Sequence, residues 1–154
     1  MTVSLRPATA RDQPLIRALV LSEQINPFDL NWRRFTVAED ADGHVVGCGQ
    51  LRRHGDVHEM ASIVVRPECQ GHGVGRLLVN ALIAEATGPL WLMCESHLCP
   101  LYKKFGFSEV KAASSMPAYF RFQQWTSVPL LNLYLAPRGR YVAVMKRTAA
   151  SQAG

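Results

Sequence analysis

The chain has 154 residues, 48% of them hydrophobic and 19% charged, which suits one domain with its own core and excludes a disordered polar chain. No apolar run approaches the ~20 residues of a membrane span, and the opening stretch MTVSLRPATARDQP has no apolar signal-peptide core. A cytoplasmic protein without a membrane partner is therefore expected. The net charge of +5 comes mostly from scattered arginines rather than a stripe; it suits an anionic small ligand at least as well as nucleic acid, is common without either, and no nucleic-acid partner is expected.

In chain order, Val3–Pro7 reads as a short strand. Thr9 then opens a helix, with Asp12 as a capping partner and Leu15, Ile16, Leu19 and Val20 as its apolar face. Residues 26–32 read as a loop or helical turn and residues 34–39 as a strand. Asp42-Gly43 is a hairpin signal, HVVGCGQLRR from His44 is the return strand, and His54-Gly55-Asp56 is a second turn. Val57–Val65 completes this meander.

A glycine-rich stretch follows. Val74, Leu77, Leu78, Ala81 and Leu82 then recur at helical spacing, and Gly88-Pro89 ends that helix. Residues 90–94 form a buried strand, and Ser96 is placed to cap a short helix through about Lys104. Residues 107–112 and 141–146 are the last strands. Between them, SSMPAYFRFQQWTSVPLLNLYLAPRG reads as partly helical. Its Met116, Tyr119, Phe120, Phe122 and Trp125 suit core or a homodimer surface, or the wall of an acceptor site. Residues 149–154 read as a frayed tail. No repeat or low-complexity linker divides residues 1–148, so one α/β domain with a mixed sheet is expected.

Cys48, Cys69, Cys94 and Cys99 form no CxxC pair and are too few for a disulfide framework, so reduced thiols are expected. Cys94, His97 and Cys99 place three potential ligands within six residues, but the spacing is not a zinc pattern and no metal is expected.

The segment QGHGVG, residues 70–75, opens a helix directly after a strand. The first N–H groups of a helix lack internal partners and sit at its positive end, so they bind anions, and glycine lets a phosphate approach the backbone. No P-loop is present, because Gly71 and Gly75 are too close and no Lys-Ser or Lys-Thr follows. A Rossmann GxGxxG fails too, because Arg76 and Leu78 stand where a third glycine is needed. What fits is Q/R-x-x-G-x-G/A, with Gln70, Gly73 and Gly75 at its fixed positions.

On these residues the chain resembles the GNAT superfamily of N-acetyltransferases. SIVVRPECQGHGVGRLL is similar to that family's strand–loop–helix unit, and PLYKKFGF to its second signature, a tyrosine on a short helix before Gly-Phe. The resemblance runs from about Val3 to Val110 and is poor over residues 112–140. It implies a mixed, mostly antiparallel sheet of about six to seven strands flanked by helices. It also implies acetyl-CoA as co-substrate: the backbone of Ile63, Val64 and Val65 would meet the pantetheine arm, and Gln70, Gly71, His72, Gly73, Val74, Gly75 and Arg76 the pyrophosphate. Arg76 reads either as a charge contact there or as a solvated helix residue.

Attack on the thioester needs a neutral amine, hence a general base. Glu59 lies eleven residues before Gln70, and strict alternation puts it on one face with Ala61, Ile63 and Val65. Many family members place a glutamate base there, and His58, on the other face, is the runner-up. Tyr102 matches the tyrosine that the family uses to protonate the leaving thiolate; its other reading is a packing residue. The family often has an asparagine near the end of the fifth strand, where this chain has Glu95, Ser96 and His97. The function implied is direct acetyl transfer to a primary amine of a small molecule or peptide within a ternary complex. The alternative is a non-catalytic acyl-CoA-binding module.

Overall fold

The computed structural model describes residues 1–23 and 25–148. The tail expected to fray lies outside them. The chain divides into two compact units, Met1–Arg52 with Met60–Ala86, and Arg53–Glu59 with Thr87 onward. The strands are β1 (Val3–Pro7), β2 (Phe35–Asp40), β3 (Val45–His54), β4 (Val57–Val65), β5 (Leu90–Glu95), β6 (Ser108–Glu109) and β7 (Val142–Arg147). They form a seven-stranded sheet in the order β1-β2-β3-β4-β5-β7-β6. β4 and β5 run parallel, with His58 opposite Leu90 and Glu59 opposite Trp91. The β1–β2, β2–β3, β5–β7 and β6–β7 pairs are antiparallel, so the sheet is mixed and mostly antiparallel, as the resemblance implied.

In the first unit, α1 (Gln13–Ser22) follows a 3-10 turn at Ala10–Asp12, so the helix itself begins later than Thr9. The expected capping pair is present in its reach-back half: Asp12 Oδ2 accepts from Thr9 N at 2.7 Å and from Thr9 Oγ1 at 2.9 Å. Ile16, Leu19 and Val20 of α1 pack with Phe35, Val37, Cys48 and Val64. A second helix, α2 (Val74–Glu85), sets Val74 and Leu78 against Ala38, Val46 and Val65. α2 ends at Glu85 with Ala86 extended, so Gly88, at φ 86°, turns the connection to β5 rather than capping the last helical turn.

Asp12 also accepts from Arg6 Nη1 at 2.8 Å. This guanidinium holds its carboxyl down, from 3.8 to about 2, with the Thr9 bonds adding to the effect. A depressed carboxyl contributes stability above its ordinary value and loses it as pH falls through the folded value. Tm of the parent should therefore drop between pH 4 and 2 partly through this group, and Asp12→Asn should flatten that limb in a thermal melt series.

In the second unit, the stretch that was hardest to read folds as α4 (Ala118–Trp125) and α5 (Ser127–Leu135), between 3-10 turns at Ala113–Ser115 and Ala136–Arg138. Phe120 is fully buried, its ring centroid 5.3 Å from that of Trp91, in a cluster with Met116 and Val144. Phe122 and Trp125, by contrast, are exposed, so the aromatic group divides between core and surface. β6 is two residues long rather than the six expected, although Val110 N still donates to Val144 O. Ser96 does not cap the short helix α3 (Cys99–Lys103), whose N-cap is Leu98. Its hydroxyl instead accepts from Tyr141 N, and its N–H donates to Tyr141 O, so it ties the end of β5 to the start of β7.

Candidate functional site

The glycine segment belongs to the first unit and resolves into two kinds of glycine. Gly71 at φ 79° and Gly73 at φ 83° adopt the left-handed conformation that side chains disfavour, and a Cβ at either would meet no atom within 4 Å. Gly75 lies inside α2, where a Cβ would make an ordinary 3.7 Å contact with Val65. The side chains before and between these glycines fold back: Gln70 Nε2 donates to Val65 O at 3.0 Å, and His72 Nδ1 lies 3.0 Å from Gln70 O. The backbone of residues 71–73 is thereby left exposed. Buried Val74 anchors the helix start, while the first N–H groups of α2 lack partners inside the helix. Arg76 is an exposed residue of the first turn. This geometry fits a pyrophosphate held by backbone N–H groups.

Ile63, Val64 and Val65 form the end of β4, Val64 buried and its neighbours half-buried. Just before them Ser62 has φ 54°, and its hydroxyl lies 2.9 Å from the side-chain amide of buried Gln50. Alternation requires extended backbone at each residue, and a serine in the left-handed region interrupts it. The shared face read for Glu59, Ala61, Ile63 and Val65 therefore does not run through the strand.

Glu59 belongs to the second unit. It is 2% exposed, and its Oε2 lies 2.7 Å from His54 Nε2. The His54 ring stacks on Tyr119 of α4, with centroids 3.6 Å apart and planes 9° apart, and it meets Phe120 edge-on. His58 turns elsewhere, with Nδ1 3.2 Å from Thr87 O. The sequence reading gave His54 only a turn role. A signal was nevertheless present: β3 ends at His54 and β4 begins at Val57, so a two-residue turn sets these two opposite each other. Glu59, two residues on, is then the diagonal same-face neighbour of His54.

Tyr102 sits on α3. Burial pushes its hydroxyl up to about 12, and Cys94 adds to the shift, so the phenol is a proton donor at neutral pH. Its ring meets Phe107 edge-on at 6.0 Å, and its carbonyl accepts from Phe105 N and Phe107 N. Burial likewise raises the Cys94 thiol to about 12, with Cys99 as the next cause, which disfavours a thiolate nucleophile. Glu95 is held by Arg140 at 3.1 Å and His97 at 3.3 Å. His97 is thus engaged with a carboxylate. Among the described residues, three potential metal ligands come together only at Asp40, Asp42 and His44 in the β2–β3 turn.

A seven-stranded mixed sheet with a left-handed glycine loop opening α2 is the fold that GNAT acetyltransferase structures share. The acetyltransferase (GNAT) domain family matches residues 31–109, and the chain belongs to that family. Among solved structures it is similar to N-acetylglutamate synthase from Neisseria gonorrhoeae, complexed with coenzyme A and N-acetyl-glutamate. The identity is 23% and the TM-score 0.75, over 96% of this chain and 35% of that one, so this chain spans about a third of the synthase. It is also similar to Rv2747 from Mycobacterium tuberculosis in complex with CoA and NLQ, with 24% identity, TM-score 0.71, and 95% and 99% coverage. A third likeness is a GNAT-family acetyltransferase from Staphylococcus aureus Mu50, with 14% identity, TM-score 0.70, and 96% and 99% coverage. No curated protein matches the sequence. Among the described residues, no helix is long and apolar enough to cross a membrane.

Proposed function

We propose that residues 1–148 act as one N-acetyltransferase domain that moves the acetyl group of acetyl-CoA to a primary amine by direct attack. The observation that carries this reading is the pair of left-handed glycines, Gly71 and Gly73, exposed at the mouth of α2. The pyrophosphate would take the N–H groups of residues 70–76, and the pantetheine arm the backbone of residues 63–65. Two structural relatives are described with coenzyme A bound, which supports the same choice of co-substrate. Glu59 is the general base and Tyr102 the acid for the departing thiolate. A primary amine of a small molecule is the acceptor class, and the α-amine of an amino acid is the first to test, because one relative is an N-acetylglutamate synthase.

The chemistry follows from these residues. Glu59 takes a proton from the ammonium, and the freed nitrogen lone pair attacks the thioester carbonyl. The carbon–sulfur bond then breaks as Tyr102 gives its proton to sulfur, and the second proton leaves the acylated nitrogen to restore the Tyr102 phenol. Tyr102→Phe should lower kcat about 10²-fold, the size of one lost acid, with KM for acetyl-CoA little changed. A thiol-release assay with acetyl-CoA and a panel of amines, L-glutamate and L-glutamine first, tests the whole reading. CoA binding without thiol release from any amine would leave a binding module instead.

A further inference from the structure

Resting on that reading of Glu59, we infer that His54 is a positioning residue for the acetyl transfer: its Nε2–H holds the Glu59 carboxylate ready to accept the amine's proton. The Glu59 side chain is 3% exposed and that of His54 is 19% exposed, and the two meet at 2.7 Å. A carboxylate buried to this extent has little water to orient it, so a hydrogen-bond donor at Oε2 helps to hold the group in place. The donor is itself fixed. Tyr119 lies flat against the imidazole at 3.6 Å, and Phe120 closes its edge. Phe120 in turn is locked against Trp91 in the buried cluster of the second unit. The ring can therefore neither tilt nor swing away from Glu59 at little cost.

This arrangement assigns a task to the segment between β6 and β7. Its first helix, α4, supplies both aromatic residues that hold the imidazole. In the step itself the amine N–H bond breaks and an O–H bond forms on the Glu59 carboxyl, while the bond from His54 is kept. The pair left on nitrogen attacks the carbonyl carbon, and the carboxyl proton passes to solvent after the product leaves. His54 neither gains nor loses a proton. It makes the same hydrogen bond before and after the transfer, strongest while Glu59 is ionised.

Three single variants separate this role from packing. His54→Gln keeps an N–H near the position of Nε2 but loses the aromatic stack, whereas His54→Phe keeps the stack but has no donor. Glu59→Gln is the reference for loss of the base. Rates are read with acetyl-CoA and L-glutamate as probes. The inference expects kcat to fall at least ~10-fold in His54→Phe and to be largely retained in His54→Gln, with KM for acetyl-CoA unchanged in both. A packing role predicts the opposite order, and His54→Phe at the parent kcat would overturn the inference. Glu59→Gln at the parent kcat would remove the base itself, and the inference with it. An arm that needs no acceptor uses the ring-nitrogen NMR shifts of His54 in the ligand-free chain. They should move on Glu59→Gln, and unmoved shifts would break the link between the two residues.

Discussion

Glu59→Gln lowers kcat by about 10²- to 10⁴-fold at neutral pH while the fold and CoA affinity stay near the parent's. That range is what a positioned general base contributes, and it corresponds to about 3–5 kcal/mol of transition-state stabilisation. Glutamine has the shape of glutamate and can still accept from His54, so the 2.7 Å contact survives in part and packing changes little. What disappears is the ability to take a proton. A pH series separates this loss from misfolding, because a primary amine deprotonates on its own as pH rises toward the amine's pKa. The deficit of Glu59→Gln should shrink across that interval for a base, whereas a structural defect would keep it constant. An undiminished kcat at pH 7 removes Glu59 from the mechanism.

The parts legible in the sequence were those with a local physical cause. Strand–glycine–helix order and the two hairpin turns each follow from neighbouring residues and are present in the fold. Of the stripe read on α2, Val74, Leu78 and Leu82 are buried, whereas Leu77 is 44% exposed and Val79 is buried in its stead. The register at Glu59 was less secure, because Ser62 at φ 54° breaks an alternation that the residue letters alone support. Its conformation accompanies a contact with Gln50, twelve positions away, which pattern reasoning does not see. Ser96 shows the same limit: its identity suits a helix cap, yet Tyr141 claims its hydroxyl and N–H from 45 positions away. His54 was missed for another reason. Next to a glycine it reads as turn punctuation, although the length of the turn already aligned it with Glu59. The 113–138 segment was hardest because its aromatic residues serve two surfaces at once, Phe120 inward and Trp125 outward.

Gly73 offers the sharpest test of the phosphate loop, because two of its substitutions differ by charge far more than by backbone. At φ 83° any side chain there costs roughly 1–2 kcal/mol of left-handed strain, so Gly73→Ala measures that cost alone. Open space surrounds the Cβ position, so Gly73→Glu adds bulk without a clash inside the protein. Both variants should therefore melt at similar temperatures without ligand. With CoA they should part. A carboxylate brought to about 4 Å from a phosphate at a partly screened surface is opposed by about 4 kcal/mol, or ~10³-fold in Kd. CoA at 100 times the parent's Kd stabilises the parent by about 2.7 kcal/mol, and it should leave the Tm of Gly73→Glu almost unmoved. High salt should recover part of the affinity of Gly73→Glu and none of the strain cost in Gly73→Ala, because screening acts on charge and not on backbone torsion. If CoA raises the Tm of Gly73→Glu as much as that of Gly73→Ala, the phosphates do not sit at this helix mouth, and left-handed Gly71 and Gly73 serve only the turn.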